Sequence, residues 1–123
     1  MKYAVLFLLI GFLFSGCATL LVAGGATAGV FFAKGDLVSV EEVSYSKTWS
    51  ATKMALNELN YLVISETGKQ DKGVIKSRRG DDKLITITIY RQTETTTKIS
   101  IRVGTFGNEP DSMMILDMIR AKM

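Results

Sequence analysis

The sequence predicts an α+β domain in which an antiparallel sheet of four to five strands carries two helices on one face, in the order β-α-β-β-β-β-α. Three observations predict this class. Apolar and polar residues alternate with a period of two in the second half of the chain, two stretches repeat apolar residues every three or four positions, and turn-forming residues separate the strands. A period of two buries only one face of a sheet, so both helices are expected on that face.

The first strand and the first helix are predicted between residues 37 and 60. Residues 37–40, Leu-Val-Ser-Val, form a short β-branched run that is typical of an edge strand. For the helix, Ser46 is the expected N-cap and Asn60 is the expected left-handed stop. Its apolar stripe, with the single tryptophan as a core anchor, comprises Trp49, Thr52, Ala55, Leu56 and Leu59.

Four further strands and a second helix are predicted after this point. The strands cover residues 61–66, 74–79, 83–91 and 96–104. A short connection between the last two strands predicts that they pair in the antiparallel sense. The final helix is expected to begin near Pro110, with Asn108 or Asp111 as its N-cap. The predicted core comprises Trp49, Leu56, Leu59, Ile64, Ile85, Ile87, Ile89, Ile99, Ile101, Val103, Ile115 and Ile119.

The N-terminal residues predict an export signal. A basic residue, Lys2, precedes an apolar run over residues 4–14, two small residues and the single cysteine, Cys17. This pattern resembles the bacterial lipoprotein signal, and the resemblance implies cleavage between Gly16 and Cys17, with a diacylglycerol and an acyl chain such as palmitate on Cys17. Because no charge lies between Lys2 and Lys34, an uncleaved signal anchor that crosses the membrane is the alternative.

Three regions are therefore predicted: a signal peptide over residues 1–16, a lipidated cysteine with an apolar Gly/Ala-rich arm over residues 17–35, and a small α+β domain over residues 36–123. The arm is interpreted as a flexible apolar tether. The alternative is a short interfacial helix that associates with a second copy through small residues at four-residue spacing, namely Gly25, Gly29 and Ala33.

Composition argues against several classes of function. The chain contains no histidine and one cysteine, so His-based catalysis, most zinc sites and an internal disulfide are excluded. Loss of Lys2 with the signal lowers the formal net charge from +3 to about +2, which is too mild to indicate nucleic-acid binding. Adjacent carboxylates at residues 41–42 and 81–82 are interpreted as solvated turns and strand ends. No enzymatic activity, metal or cofactor is expected.

The face of the sheet away from the core is the candidate binding surface. If the strands pair in sequence, basic and hydroxyl side chains point outward together, and such a surface suits phosphate or carboxylate groups. An ordinary solvated sheet face is the alternative. The candidate anionic-partner residues are Lys76, Arg78, Lys98 and Arg102.

Several short runs resemble a known family. They are Ala33-Lys34-Gly35-Asp36-Leu37, Ala55-Leu56-Asn57-Glu58-Leu59, Gly73-Val74-Ile75, and Ile99-Ser100-Ile101-Arg102-Val103-Gly104-Thr105-Phe106-Gly107. Together with the lipoprotein signal, they are similar to short Gram-negative lipoproteins grouped as a domain of unknown function. The order of elements also resembles the helix-grip domain in the C subunit of the outer-membrane barrel assembly machine, which is an analogy of fold alone.

The resemblance implies an exported lipoprotein and assigns no chemistry. Ala18, which follows the cysteine where some lipoproteins carry Asp, resembles lipoproteins that are passed to the periplasmic face of the outer membrane. The expected function is a non-enzymatic, membrane-anchored domain that binds an envelope protein or an anionic glycan. The alternative is a periplasmic carrier that holds a small apolar ligand between sheet and helices.

Overall fold

The computed structural model describes residues 29–123, in which one antiparallel sheet of six strands carries two helices. The strands are β1 (Val30–Ala33), β2 (Asp36–Glu41), β3 (Leu62–Gly68), β4 (Lys72–Arg78), β5 (Leu84–Arg91) and β6 (Thr97–Val103). The helices are α1 (Tyr45–Glu58) and α2 (Glu109–Lys122). The predicted signal peptide, the cleavage between Gly16 and Cys17, the lipidation of Cys17 and most of the predicted arm lie outside the described residues.

The strands lie in the order β1-β2-β6-β5-β4-β3. The last four strands form a meander, and the predicted antiparallel pairing of the last two is confirmed by the register of Ile87 with Ile101. Because β2 pairs with β6, the first part of the chain returns to the free edge of this meander. The α+β class is thereby confirmed, with six strands in place of the four to five that were predicted.

The additional strand, β1, lies in the segment predicted as the end of the arm. Lys34 and Gly35 both have positive φ, 55° and 86°, and this pair of conformations makes the two-residue turn that suits a β-hairpin. The turn folds β1 back onto β2, so β2 is an interior strand and the prediction of an edge strand at residues 37–40 is wrong. Because β1 and the residues before it are both apolar, composition alone did not predict the hairpin.

The core lies between the sheet and the two helices. The predicted inward isoleucines and Val103 of β5 and β6 are buried, as are Leu56, Ile115 and Ile119, while Leu37, Ile75 and Leu116 belong to the core without having been predicted. Trp49 and Leu59 are partly buried against it. The prediction for Ile64 is wrong: its side chain is 44% exposed, because a β-bulge between Val63 and Ser65 changes the register of β3.

Both helices begin at side-chain caps. The Lys47 N–H donates to Ser44 Oγ at 3.3 Å, so the N-cap of α1 is Ser44 and the prediction of Ser46 is wrong by two residues. The predicted N-cap of α2, Asn108, is confirmed by the Asp111 N–H, which donates to its Oδ1 at 3.0 Å. Within residues 29–123, neither helix is long and apolar enough to cross a membrane.

Candidate functional site

The face of the sheet opposite the helices, called here the outer sheet face, is built by period-two alternation. Each strand turns its buried side chains toward the helices and the alternate residues away from them. The register places these outward residues in rows across the sheet, for example Val38 beside Ser100, Thr88 and Val74. The outer sheet face comprises Phe31, Ala33, Asp36, Val38, Val40, Leu62, Ser65, Thr67, Lys72, Val74, Lys76, Arg78, Leu84, Thr86, Thr88, Tyr90, Lys98, Ser100 and Arg102.

Charge is segregated between the two faces of the sheet. The outward strand positions carry five basic side chains and one carboxylate, Asp36. Strand carboxylates on the other face bind basic side chains of the helices: Glu41 contacts Arg120 at 2.7 Å, and Glu66 contacts Lys53 at 3.0 Å. The outer sheet face is therefore a basic surface, and all four predicted residues lie on it.

A tyrosine ring lies between two of the cations. The register places Tyr90 between Lys72 of β4 and Lys98 of β6. The two ammonium nitrogens lie 5.4 and 4.4 Å from the centre of the ring. Such cation–π contacts orient the two side chains without neutralising their charge. Among the described residues, no ion pair involves Lys72, Lys76, Arg78 or Lys98.

Arg102, the fourth predicted cation, has a structural role. Its guanidinium donates to Asp36 Oδ1 at 2.8 Å, to the Thr105 carbonyl at 2.7 Å and to the Lys34 carbonyl. It therefore joins the β1–β2 turn to the loop between β6 and α2, and its charge is matched by the only carboxylate of the outer sheet face. Lys72, which lies outside the strand predicted at residues 74–79, is instead the first residue of β4 and a further outward cation.

Replacing Arg102 with lysine is expected to lower the free energy of unfolding by about 1–2 kcal/mol, because an ammonium group lacks the planar fork that reaches three acceptors. The expected effect is small because the Arg102 side chain is 36% exposed and solvent screens its charge. The measurement is denaturant unfolding of the intact protein in mild detergent, followed by Trp49 fluorescence. Arg78→Lys is the matched control on the same face. Equal stability of the two variants would show that the three hydrogen bonds contribute nothing.

The loop that Arg102 fixes presents an exposed aromatic side chain. Phe106 is 91% exposed, whereas the backbone around it is held tightly. A Cβ added to Gly35 would lie 2.5 Å from the Phe106 carbonyl oxygen. Gly104 and Gly107 have φ of 73° and 81°, a conformation that glycine adopts without strain.

Two hollows on the helix side of the molecule are open at the surface. One of about 320 Å³ lies beside Trp49 and includes Tyr45 and Lys69. Trp49 stacks on Tyr45 and covers Gly73, where it closes one end of the core. Burial raises the pKa of Tyr45, whose hydroxyl is buried with no hydrogen-bond partner among residues 29–123. The other hollow, of about 470 Å³, runs along the methionine-rich outward side of α2.

The adjacent carboxylates are bound in ion pairs or lie in turns. Arg79 donates to both carboxylate oxygens of Asp81, at 2.9 and 2.7 Å, and to Asp111 at 2.8 Å. The guanidinium of Arg79 holds the pKa of the Asp81 carboxyl well below its usual range, so this group is ionised and is a poor general acid. Over residues 29–123, no group of acidic or cysteine side chains has the arrangement of a metal site.

A family model described as a protein of unknown function, DUF3568, matches residues 1–122. This match confirms the predicted resemblance to an uncharacterised family and covers the N-terminal segment as well as the domain. No curated protein matches the chain.

Proposed function

We propose that this chain, which belongs to the DUF3568 family of proteins of unknown function, is a membrane-anchored lipoprotein whose domain binds an anionic partner of the bacterial envelope and catalyses no reaction. The anchor is a diacylglycerol and an acyl chain on Cys17, after cleavage between Gly16 and Cys17. The domain lies at the periplasmic face of the outer membrane, as residue 18 favours. An envelope protein and an anionic glycan are both suitable partners.

The observation that carries the binding role is the charge of the outer sheet face. Five cations share that face with one carboxylate, while other strand carboxylates are paired on the helix side. A surface with this excess of positive charge is complementary to an anionic partner. Electrostatic complementarity of this kind speeds association and selects partners of opposite charge.

Within residues 29–123, the packing between sheet and helices does not favour the carrier alternative. The inward isoleucines of β5 and β6 meet the apolar side chains of the two helices, Leu56, Ile115 and Ile119 among them, and these side chains are fully buried. The hollows of 320 and 470 Å³ described above lie on the outside of the molecule. A small apolar ligand would need an enclosed space of roughly 300 Å³ or more between sheet and helices.

The experiment is photocrosslinking in intact cells. A photoreactive residue replaces Thr88 at the centre of the outer sheet face, or Ser50 on the exposed side of α1 as a comparison. Reversing two charges of the face, Lys76→Glu with Lys98→Glu, is expected to lower capture from position 88 by about tenfold, because like charges oppose docking. Capture from position 50 is expected to be unchanged.

The matched control reverses two exposed charges on the helix side that make no ion pair among the described residues, Lys47→Glu with Lys69→Glu, and is expected to leave capture from position 88 unaltered. If every species captured from position 88 survives reversal of the outer charges, the basic face is not the binding surface and this part of the proposal is to be abandoned.

A further inference from the structure

We infer that the outer sheet face binds the phosphate headgroups of an anionic bilayer, so that the sheet lies flat on the membrane to which the chain is anchored. This inference rests on the proposed function, because it takes Cys17 as the anchor and the outer sheet face as the binding surface. It names the partner of that face.

The first support is the short distance between anchor and sheet. The Val40 N–H donates to the Gly29 carbonyl at 2.8 Å, so the chain belongs to the sheet from Gly29 onward. Eleven residues, 18–28, separate that point from Cys17 and span at most about 40 Å when fully extended. A lipid on Cys17 therefore confines the sheet to the neighbourhood of the bilayer, and the arm enters at β1, which is one edge of the outer sheet face.

The second support is the distribution of the cations. Lys72, Lys76 and Arg78 lie along one side of β4, and the first and last are about 20 Å apart at the usual rise of a strand. Lys98 lies two strands away, at a lateral distance of about 10 Å. Charges spread in this way match a two-dimensional array of phosphates, whereas a single carboxylate group needs donors that converge on one point.

The third support is the apolar part of the same face. Phe31 and Val40, at the β1 and β2 side where the arm enters, are 56% and 41% exposed. Aromatic and aliphatic side chains flanked by lysines suit the boundary between headgroups and acyl chains, since lysine stems lie along apolar surface while the ammonium groups reach phosphate. An anionic bilayer therefore offers a contact both to the cations and to the apolar side chains of this face.

The test is lysine footprinting of the intact acylated protein, from Cys17 onward, reconstituted in vesicles of phosphatidylcholine alone or mixed equally with phosphatidylglycerol. A water-soluble acylating reagent reports each lysine by mass spectrometry. Attraction of each basic residue to an anionic surface corresponds to about a fivefold change in binding. Modification of Lys72, Lys76 and Lys98, relative to the exposed Lys47 and Lys69 on the helix side, is therefore expected to fall at least about fivefold in the anionic vesicles and to recover in high salt.

A variant pair extends the test. Lys72→Gln with Lys98→Gln is expected to remove most of the protection of Lys76, because the loss of two charges weakens binding to the anionic surface by about 25-fold. Lys47→Gln with Lys69→Gln is expected to leave it unchanged. Trp49 fluorescence checks that both variants are folded.

The contrary results are separable. Protection of Lys72, Lys76 and Lys98 that does not depend on lipid charge, while the protein still floats with the vesicles, overturns this inference and leaves the anchor standing. Protection in neutral vesicles by inorganic phosphate or by soluble peptidoglycan fragments also overturns it, in favour of a soluble anion site or a glycan site. A purified chain that carries no acyl groups overturns the anchor and this inference together.

Discussion

Replacing Gly107 with alanine is expected to lower the free energy of unfolding by about 3–5 kcal/mol, a large part of the stability of a domain of this size. Two costs combine. Gly107 has a φ of 81°, a region in which an L-residue is strained by about 1–2 kcal/mol. An added Cβ would also lie 2.5 Å from the Gly35 Cα and 2.6 Å from its carbonyl carbon, so backbone would have to move.

Two other glycines separate these costs. Gly104 has a φ of 73°, but a Cβ there would meet only the flexible end of Lys83, at 4.0 Å. Gly104→Ala is therefore expected to show the conformational strain alone, about 1–2 kcal/mol. A Cβ on Gly80 would meet no atom within 4 Å, so Gly80→Ala is expected to be neutral or slightly stabilising, through the entropy of the unfolded chain.

Denaturant unfolding of the three intact variants in detergent, with Trp49 as the probe, measures this series. Trp49 suits the purpose because it is the only tryptophan and packs against the core. If Gly107→Ala is no less stable than Gly104→Ala, the close approach of the two loops does not exist in solution. The exposed position of Phe106 would then lose its structural explanation, since that contact fixes the loop.

Part of the fold was predictable from sequence because it depends on local alternation of apolar and polar residues. Alternation of residues 84–91 and 97–103 is a local signal, and it correctly assigned Ile85, Ile87, Ile99 and their neighbours to the core. The same period placed Lys76, Arg78, Lys98 and Arg102 on one face before any strand order was known. A property set by the period of a strand is readable because it does not depend on which strand is the neighbour.

The wrong predictions concern residues whose placement depends on a contact distant in sequence or on a local irregularity of a strand. Two residues of positive φ, Lys34 and Gly35, turn β1 back onto β2, and composition alone did not distinguish this strand from the arm before it. A bulge moves Ile64 out of the core, although its neighbours alternate regularly. In sequence, Arg102 is indistinguishable from the other outward cations. Its structural role follows only from its hydrogen bonds to Asp36 and to the loop carbonyls. The predicted likeness to the helix-grip fold stays a prediction.

Charge segregation connects the fold to the proposed role. Basic side chains of the helices, Lys53 and Arg120, neutralise carboxylates on the inner side of strand edges. Asp36, on the outer side, forms an ion pair with Arg102. The remaining outward cations therefore have no partner of opposite charge within residues 29–123 and are available to one outside the chain.

Replacing Cys17 with serine is expected to abolish acylation. A serine hydroxyl does not form the thioether that the lipoprotein signal implies, so intact-mass measurement is expected to find acyl groups on nearly all of the wild-type chain and on none of the variant. Membrane fractionation is expected to show the mature wild-type chain in the outer membrane. The variant is expected to keep its signal segment, because cleavage depends on the modified cysteine. The apolar run of residues 4–14 is too short to span a bilayer, but it can still hold the uncleaved variant at a membrane. Intact mass is therefore the decisive measurement, and location is the secondary one.

A matched change at the next residue distinguishes anchoring from sorting. Ala18→Asp leaves the cysteine intact and is expected to preserve the acylated mass while moving the chain toward the inner membrane. If Cys17→Ser yields the same mature mass as the wild type and stays with the envelope, the anchor is peptide rather than lipid. The confinement of the outer sheet face near the bilayer would then depend on an uncleaved helix, because no acyl chain would hold residue 17 at the surface.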